Sequence, residues 1–336
     1  MVASLLTTAV VGFLVINFFL ISASILVYAE RKVSAYIHNR PGPNRVGPFG
    51  LLQPFADVVK LIFKEDIRPT IANSFIHSLA PWSMVVLAMT ATGLIPIARG
   101  FVMADPNVGV LVLLAITSIS VYGVTLAGWS SNSKYSLLGG LRSSAQMISY
   151  ELSMGLAVIS VVLMTGSLSL VDIVEGQNYV WNVFRNPIGA LIFIVTAFAE
   201  TNRAPFDLPE AEQELVGGYH TEYSGMKFGM FFLAEYVNMF IASFVIVTLF
   251  FGGYLIPFEV YFVDAFTSNG LTWLFGILQA FGLLLKASFF AFLFIWVRWT
   301  LPRFKYSQLM KIGWNYLLPI ALVWVLIVAF VMTAVL

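Results

Sequence analysis

Seven apolar runs, each close to or above the roughly 20 residues that cross a bilayer as a helix, punctuate the chain near 3–28, 75–98, 108–129, 144–166, 228–252, 271–296 and 313–335. A shorter run at 187–199 predicts an eighth span if it extends slightly at both ends. Between the first two runs the pattern changes. After the turn-rich RPGPNRVGP of residues 40–48, Leu51, Leu52, Phe55, Val58, Val59, Ile62 and Phe63 recur at helical spacing, while Gln53, Asp57, Lys60 and Lys64 follow the opposite stripe. That alternation predicts an interfacial amphipathic helix over about 49–64. The expected fold is all-α: a polytopic membrane protein of eight transmembrane helices plus this surface helix, forming a single integral membrane domain over 1–336. The first run lacks the basic start and small-residue cleavage site of a signal peptide, so it is expected to be retained.

Composition agrees with a membrane chain. Hydrophobic residues make up 59% and charged residues 10%, with a mean hydropathy of +0.88, against about 25% charged in an ordinary soluble domain. The net charge of +1 gives no global field to recruit nucleic acid. Cysteine is absent, which removes disulfides, thiolate zinc sites and cysteine-ligated iron–sulfur clusters from this polypeptide. His38, His77 and His220 lie far apart in sequence and suggest no metal site. Loops 30–70, 130–142, 201–227 and 297–312 hold fifteen of the 18 lysines and arginines. By the positive-inside rule these alternate loops face the cytoplasm and both termini face outward.

Several carboxylates stand inside apolar runs, where each costs roughly 2.5–3.5 kcal/mol on insertion scales. Glu151 is nine residues from Arg142 and Glu235 eight from Lys227, which places both roughly 12–14 Å from the inner ends of their spans. Glu200 closes the fifth span, and Lys286, twelve residues from Arg298, lies roughly 18 Å deep. Together they suggest a polar file suited to moving protons. Helix-locking ion pairs are the plainer alternative. Within the acidic inner loop of 200–227, the stretch 200–223 concentrates Glu200, Asp207, Glu210, Glu212, Glu214 and Glu222 against one base, Arg203. Pro205 and Pro209 stiffen it, and Phe206, Leu208, Leu215 and Val216 interleave apolar positions. This suits a loop packed in an interface better than a solvated acidic run. No phosphate-binding loop, dinucleotide fingerprint, HExxH pair or nucleophile elbow is present in the sequence.

Residues 29–65, AERKVSAYIHNRPGPNRVGPFGLLQPFADVVKLIFKE, closely resemble the first inner loop of membrane subunit 1 of respiratory complex I, the H chain in bacteria. So do AETNRAPFDLPEAEQELVGGYHTEY at 199–223, SYE at 149–151, AEY at 234–236 and LKASFFAFLFIWVRWTLPRFKYSQLM at 285–310. The resemblance implies a quinone-channel and docking subunit of a proton-pumping NADH:quinone oxidoreductase, with no complete active site on this chain. It implies that the first span, the amphipathic helix and the sixth span frame the channel mouth. Glu30, Arg31, Arg40, Asp57, Lys60, Phe228, Arg298 and Arg303 become channel or interface residues. Asp207, Glu210, Glu212, Glu214, Glu222 and Tyr223 fall on an acidic loop that senses quinone reduction, and Glu151, Glu200, Glu235 and Lys286 on the proton path.

The same resemblance implies no covalently bound cofactor, with quinone as substrate and with FMN and iron–sulfur clusters on partner subunits. Partners would be the hydrophilic quinone-site subunits, neighbouring small and antiporter-like membrane subunits, and lipids. The setting would be a bacterial inner membrane, with periplasmic termini and cytoplasmic large loops. Three other readings are the corresponding subunit of a membrane-bound hydrogenase, a stand-alone proton-coupled transporter and a purely structural anchor. A transporter should display paired halves with interrupted helices, which the sequence lacks.

Overall fold

The computed structural model describes residues 2–207, 216–257, 259, 266 and 272–335. They form twelve α-helices and, among the described residues, no strand. These are α1 (Val2–Ile37), α2 (Gln53–Phe63), α3 (Ser74–Thr92), α4 (Gly109–Ser130), α5 (Lys134–Thr165), α6 (Leu170–Glu175), α7 (Asn182–Arg185), α8 (Pro187–Glu200), α9 (Gly225–Phe250), α10 (Thr272–Thr300), α11 (Tyr306–Lys311) and α12 (Leu318–Val335). A π-helical segment, Ile312–Leu317, joins the last two into one long rod. Seven of these rods are long and apolar enough to cross a membrane, and the 14-residue α8 is the short member among them.

Two helices run past their apolar stretches. The sequence places the start of the fourth run near 144, yet α5 begins at Lys134. Its first turns are rich in small polar residues, and Ser136, Gly139, Gly140, Ser143 and Ser144 are buried there against protein. A Cβ on Gly128 of α4 would lie 2.5 Å from the Ser136 carbonyl, so the two backbones meet where side chains would part them. Likewise α1 continues through the charged AERKVSAYI segment to Ile37. Local chemistry explains the ends: Asn73 and Asn186 cap α3 and α8 by accepting from the amides of Ile76 and Gly189. Pro187 opens α8 at a position that needs no amide donor.

The helix α9 is the central pillar. Of its most apolar window 72% is buried, against 17% for α1 and 17% for the C-terminal rod. The peripheral helices turn Phe13, Phe289 and Phe330 outward, 60–75% exposed, as expected of faces that meet hydrocarbon rather than water. On the face carrying the basic loops, here called inner, α2 lies against α9. Gly229 permits this seat, because a Cβ there would meet Leu61 at 2.8 Å. The following loop is tied down by the Lys227–Asp66 ion pair at 2.8 Å and by the Ile67 amide donating to Ser224 at 2.8 Å.

Candidate functional site: a cavity backed by buried charge

The inner ends of α1, α2 and α9 enclose an open cavity of about 530 Å³. Arg31, Asp57, Lys60 and Lys64 give it a charged rim, and Val27, Leu61, Phe228, Phe232 and Leu233 an apolar wall. Asp57 accepts from Arg31 and from Gln53, the latter at 3.1 Å within one turn of α2. The amphipathic stripe of the sequence thus presents its polar residues to the rim. At the back stands Tyr236, almost fully buried.

Behind Tyr236 the charges alternate. Its hydroxyl donates to Glu30 at 2.9 Å. Glu30 also accepts from Arg203 at 3.1 Å and from Arg298 at 2.9 Å. The Nε of Arg203 lies 2.9 Å from Glu235, and its guanidinium stands 4.3 Å over the Tyr236 ring. Arg203 is only 1% exposed. Charges at such depth persist only when each has close counter-charges, since desolvation costs several kcal/mol per ion. A further pair, Arg303 with Asp207 at 2.8 Å, anchors the start of the acidic loop to the segment after α10.

Glu235 and Glu200 line one small polar cavity of about 20 Å³, with Thr201, Asn202, Tyr219 and Asn238. That is space for a single water. A second cavity of about 60 Å³ begins at Glu200 and Asn238 and runs outward between apolar walls. One buried oxygen of Glu200 has no hydrogen-bond partner among the described residues. Glu151 accepts from Ser118 and lies near enough to Glu200 for the two charges to repel. It lines neither cavity.

Tyr223 and His220 end the acidic loop. The Tyr223 ring stacks on His77, with centroids 3.9 Å apart and planes 8° apart, and its hydroxyl is 3.3 Å from Ser130. Burial pushes the Tyr223 phenol up to about 12 and the His220 imidazole down to about 4. Glu222 is half-buried beside them. Glu210, Glu212 and Glu214 lie outside the described residues.

Not every residue singled out by the sequence joins this cluster. The Lys286 ammonium donates to the carbonyls of Phe251, Gly253 and Leu255 at 2.9, 3.0 and 2.6 Å, and lies 4.7 Å from the Trp181 ring. It sits at the opposite end of α9 from Glu30, and all three of its protons are engaged. Arg40 is exposed in the loop after α1. Conversely, Arg203 is the hub, although along the sequence it stands out only as the lone base of an acidic stretch. The available signal is its setting in NRAPF, where a cation among apolar and proline neighbours implies burial with partners. Among the described residues, no three His, Asp or Glu side chains gather closely enough to hold a metal.

A family model described as NADH dehydrogenase matches residues 10–329. The chain belongs to that family. Similarity to individual members extends over nearly the whole length. The H subunit of NADH-quinone oxidoreductase from Salinibacter ruber is 70% identical over 334 residues, covering 98% of this chain and 97% of the relative. NADH-quinone oxidoreductase subunit 8 of Rhodothermus marinus is 70% identical over 327 residues, with 96% of each chain covered. The corresponding H subunit from Rhodospirillum centenum is 53% identical over 312 residues, covering 92% and 89%.

Proposed function

We propose that this chain is the quinone-channel and docking subunit of a proton-translocating NADH:quinone oxidoreductase. The observation that carries the reading is Tyr236: its ring lines the membrane-facing cavity while its hydroxyl bonds Glu30, the first of the buried charges that lead to Glu235 and Glu200. A site that accepts a charge change at one end and holds facing carboxylates at the other suits coupling of quinone chemistry to proton movement. The relatives' names supply the reaction class.

Quinone reduction takes up two electrons and two protons to give the quinol. In this reading the electrons come from an iron–sulfur cluster on a hydrophilic partner subunit, and FMN also belongs to partners. This chain's residues do the rest. The apolar wall of Val27, Phe228 and Phe232 admits a lipid-soluble molecule from the bilayer, and the Arg31–Asp57 and Lys60 rim orients its polar head. Negative charge developing near Tyr236 draws on Arg203 and Arg298. Because Arg203 is shared between Glu30 and Glu235, any gain by the first weakens its hold on the second. Glu235 then takes or gives a proton across the small cavity to Glu200, and Glu151 passes the change to neighbouring membrane subunits. The acidic loop, held by Arg303 through Asp207, provides a parallel connection to the docked partners. The basic inner loops face the cytoplasm of a bacterial inner membrane and the termini the periplasm.

The test is Glu235→Gln in vesicles, with native gels to establish assembly. NADH-driven acidification should fall about tenfold or more relative to quinone reduction measured with an ionophore present. An assembled variant that acidifies normally would sink the coupling role.

A further inference from the structure

The groove between α1 and α9 continues beyond the cavity described above. Nearer the outer face, a second opening of about 530 Å³ lies between α1, α9 and α10. Val11, Leu14, Phe18, Phe244, Ala280 and Leu284 are among its walls, and every described residue that lines it is apolar. Along α1 the inner cavity begins at Ala23 and the outer crevice ends at Phe19, a gap of about 6 Å of helical rise. The partition is aromatic: Phe18, Phe19, Phe240 and Phe244 form a ring cluster with centroids 4.8–6.4 Å apart. Leu14 is 60% exposed and Phe18 40%, so the crevice opens sideways toward hydrocarbon.

We propose that the outer crevice is a binding site for the distal polyprenyl tail of the same quinone whose head enters the inner cavity. The proposal rests on the reading of that inner cavity as the quinone site. Its own support is the polarity of the groove as a whole. One end bears Arg31, Asp57, Lys60 and Lys64, the other bears only apolar side chains, and both lie on the same two helices with a single aromatic step between them. A molecule with a polar head and a long apolar tail matches that order, and the tail can cross the step over the Phe18 ring. A phospholipid matches it less well: from Arg31 to Val11 the groove follows twenty residues of α1, about 30 Å of helical rise, whereas one acyl chain spans only about half of the roughly 30 Å hydrocarbon core.

The crevice cannot hold a tail by the hydrophobic effect, because surrounding lipid is equally apolar. It acts through dispersion contacts and confinement, keeping the head near the mouth and raising its local concentration there. The consequence is a modest effect confined to KM and to long-tailed quinones.

Ala280→Trp and Leu284→Trp fill the crevice from an open wall, in two independent positions. Each variant complex, checked for assembly, is assayed in proteoliposomes with a long-tailed quinone and with a short-tailed soluble analogue. The expected result is a KM about threefold higher for the long-tailed substrate, unchanged kcat, and no change for the short-tailed one. Phe13→Trp, which adds bulk on the lipid-facing side outside the crevice, should alter neither. Unchanged KM for both substrates in the two filled variants would overturn the proposal and leave the crevice to a lipid chain. Equal rises for both substrates would overturn it too, by placing the effect at the head-group site. Val58→Trp, which narrows the inner mouth, tests the underlying reading separately: it should raise KM for both substrates, and no change there would remove the inner cavity from the quinone path whatever the crevice does.

Discussion

The two ends of α9 are built on opposite principles. At the inner end, Gly225 and Gly229 let α2 approach, two cavities flank the helix, and Glu235 and Tyr236 join a network of shared ion pairs. At the outer end, from Val237 to Phe250, most side chains are buried in apolar packing. Five carbonyls at and just beyond that end are taken by side chains: Thr248 by Gln177 at 2.9 Å, Leu249 by Asn182 at 2.9 Å, and Phe251, Gly253 and Leu255 by Lys286. One end holds charges that share partners; the other closes the helix with single-purpose hydrogen bonds. The helix is pinned by fixed bonds at one end and joined to shared ion pairs at the end where the cavity lies.

The largest blow to this contrast is Arg203→Met. It withdraws from Glu30 and Glu235 a buried cation that they share, and breaking such an arrangement costs roughly 3–5 kcal/mol. Assembled complex should be nearly lost on native gels, whereas Arg203→Lys should restore part of it. Next comes Lys286→Met, which strands three carbonyls at a cost of about 1–3 kcal/mol. Hydrogen exchange should accelerate over 246–255, while acidification per NADH oxidised stays within about twofold of the parent in assembled complex. A collapse of acidification with unchanged exchange would return Lys286 to the proton path.

Smaller effects sharpen the inner end. Asp57→Asn removes a partly exposed pair worth at most about 1 kcal/mol, so the complex should assemble normally and show a KM for quinone raised a few-fold. Normal KM would detach the rim from substrate orientation. The most local is a pH effect at His220. Burial holds its folded pKa near 4, below the ordinary 6.5, so between those values the unfolded loop binds more protons than the folded one. Local stability is therefore complete above about pH 6.5 and declines toward pH 4, by at most about 1.4 kcal/mol per unit. Protection factors at 218–224, taken relative to the intrinsic exchange rate at each pH, should fall on acidification in the parent and stay flat in His220→Phe.

Much of the architecture was legible along the chain, because hydropathy reports directly on what a helix must face. The apolar runs mark the long helices, and the Leu51–Phe63 stripe marks α2, whose polar side carries Asp57 and Lys60 to the cavity rim. Helix limits were less legible where burial in protein replaces burial in lipid: the serines and glycines of 134–142 read as loop, yet they form the first turns of α5, packed on α4 and on Gly218. Site residues divided likewise. Glu235 and Glu200 stood out because a carboxylate in an apolar run needs an explanation, and they do share a cavity. Lys286 stood out for the same reason, yet backbone carbonyls satisfy it, and sequence depth alone cannot separate a lysine on a path from one capping a helix.

Hydropathy and charge along the chain are enough to establish an all-α membrane chain, which loops are basic, and which few polar residues are costly enough to matter. Those are one-dimensional facts, set by transfer free energies and helical rise. Which costly residues meet was decided only in three dimensions. Glu30, Arg203, Glu235 and Arg298 come from four separate segments, and their ion pairs exist because α1, α9 and α10 converge on the loop that carries Arg203. The strength of a buried charge depends on partners within a few ångströms, and no local pattern encodes that distance.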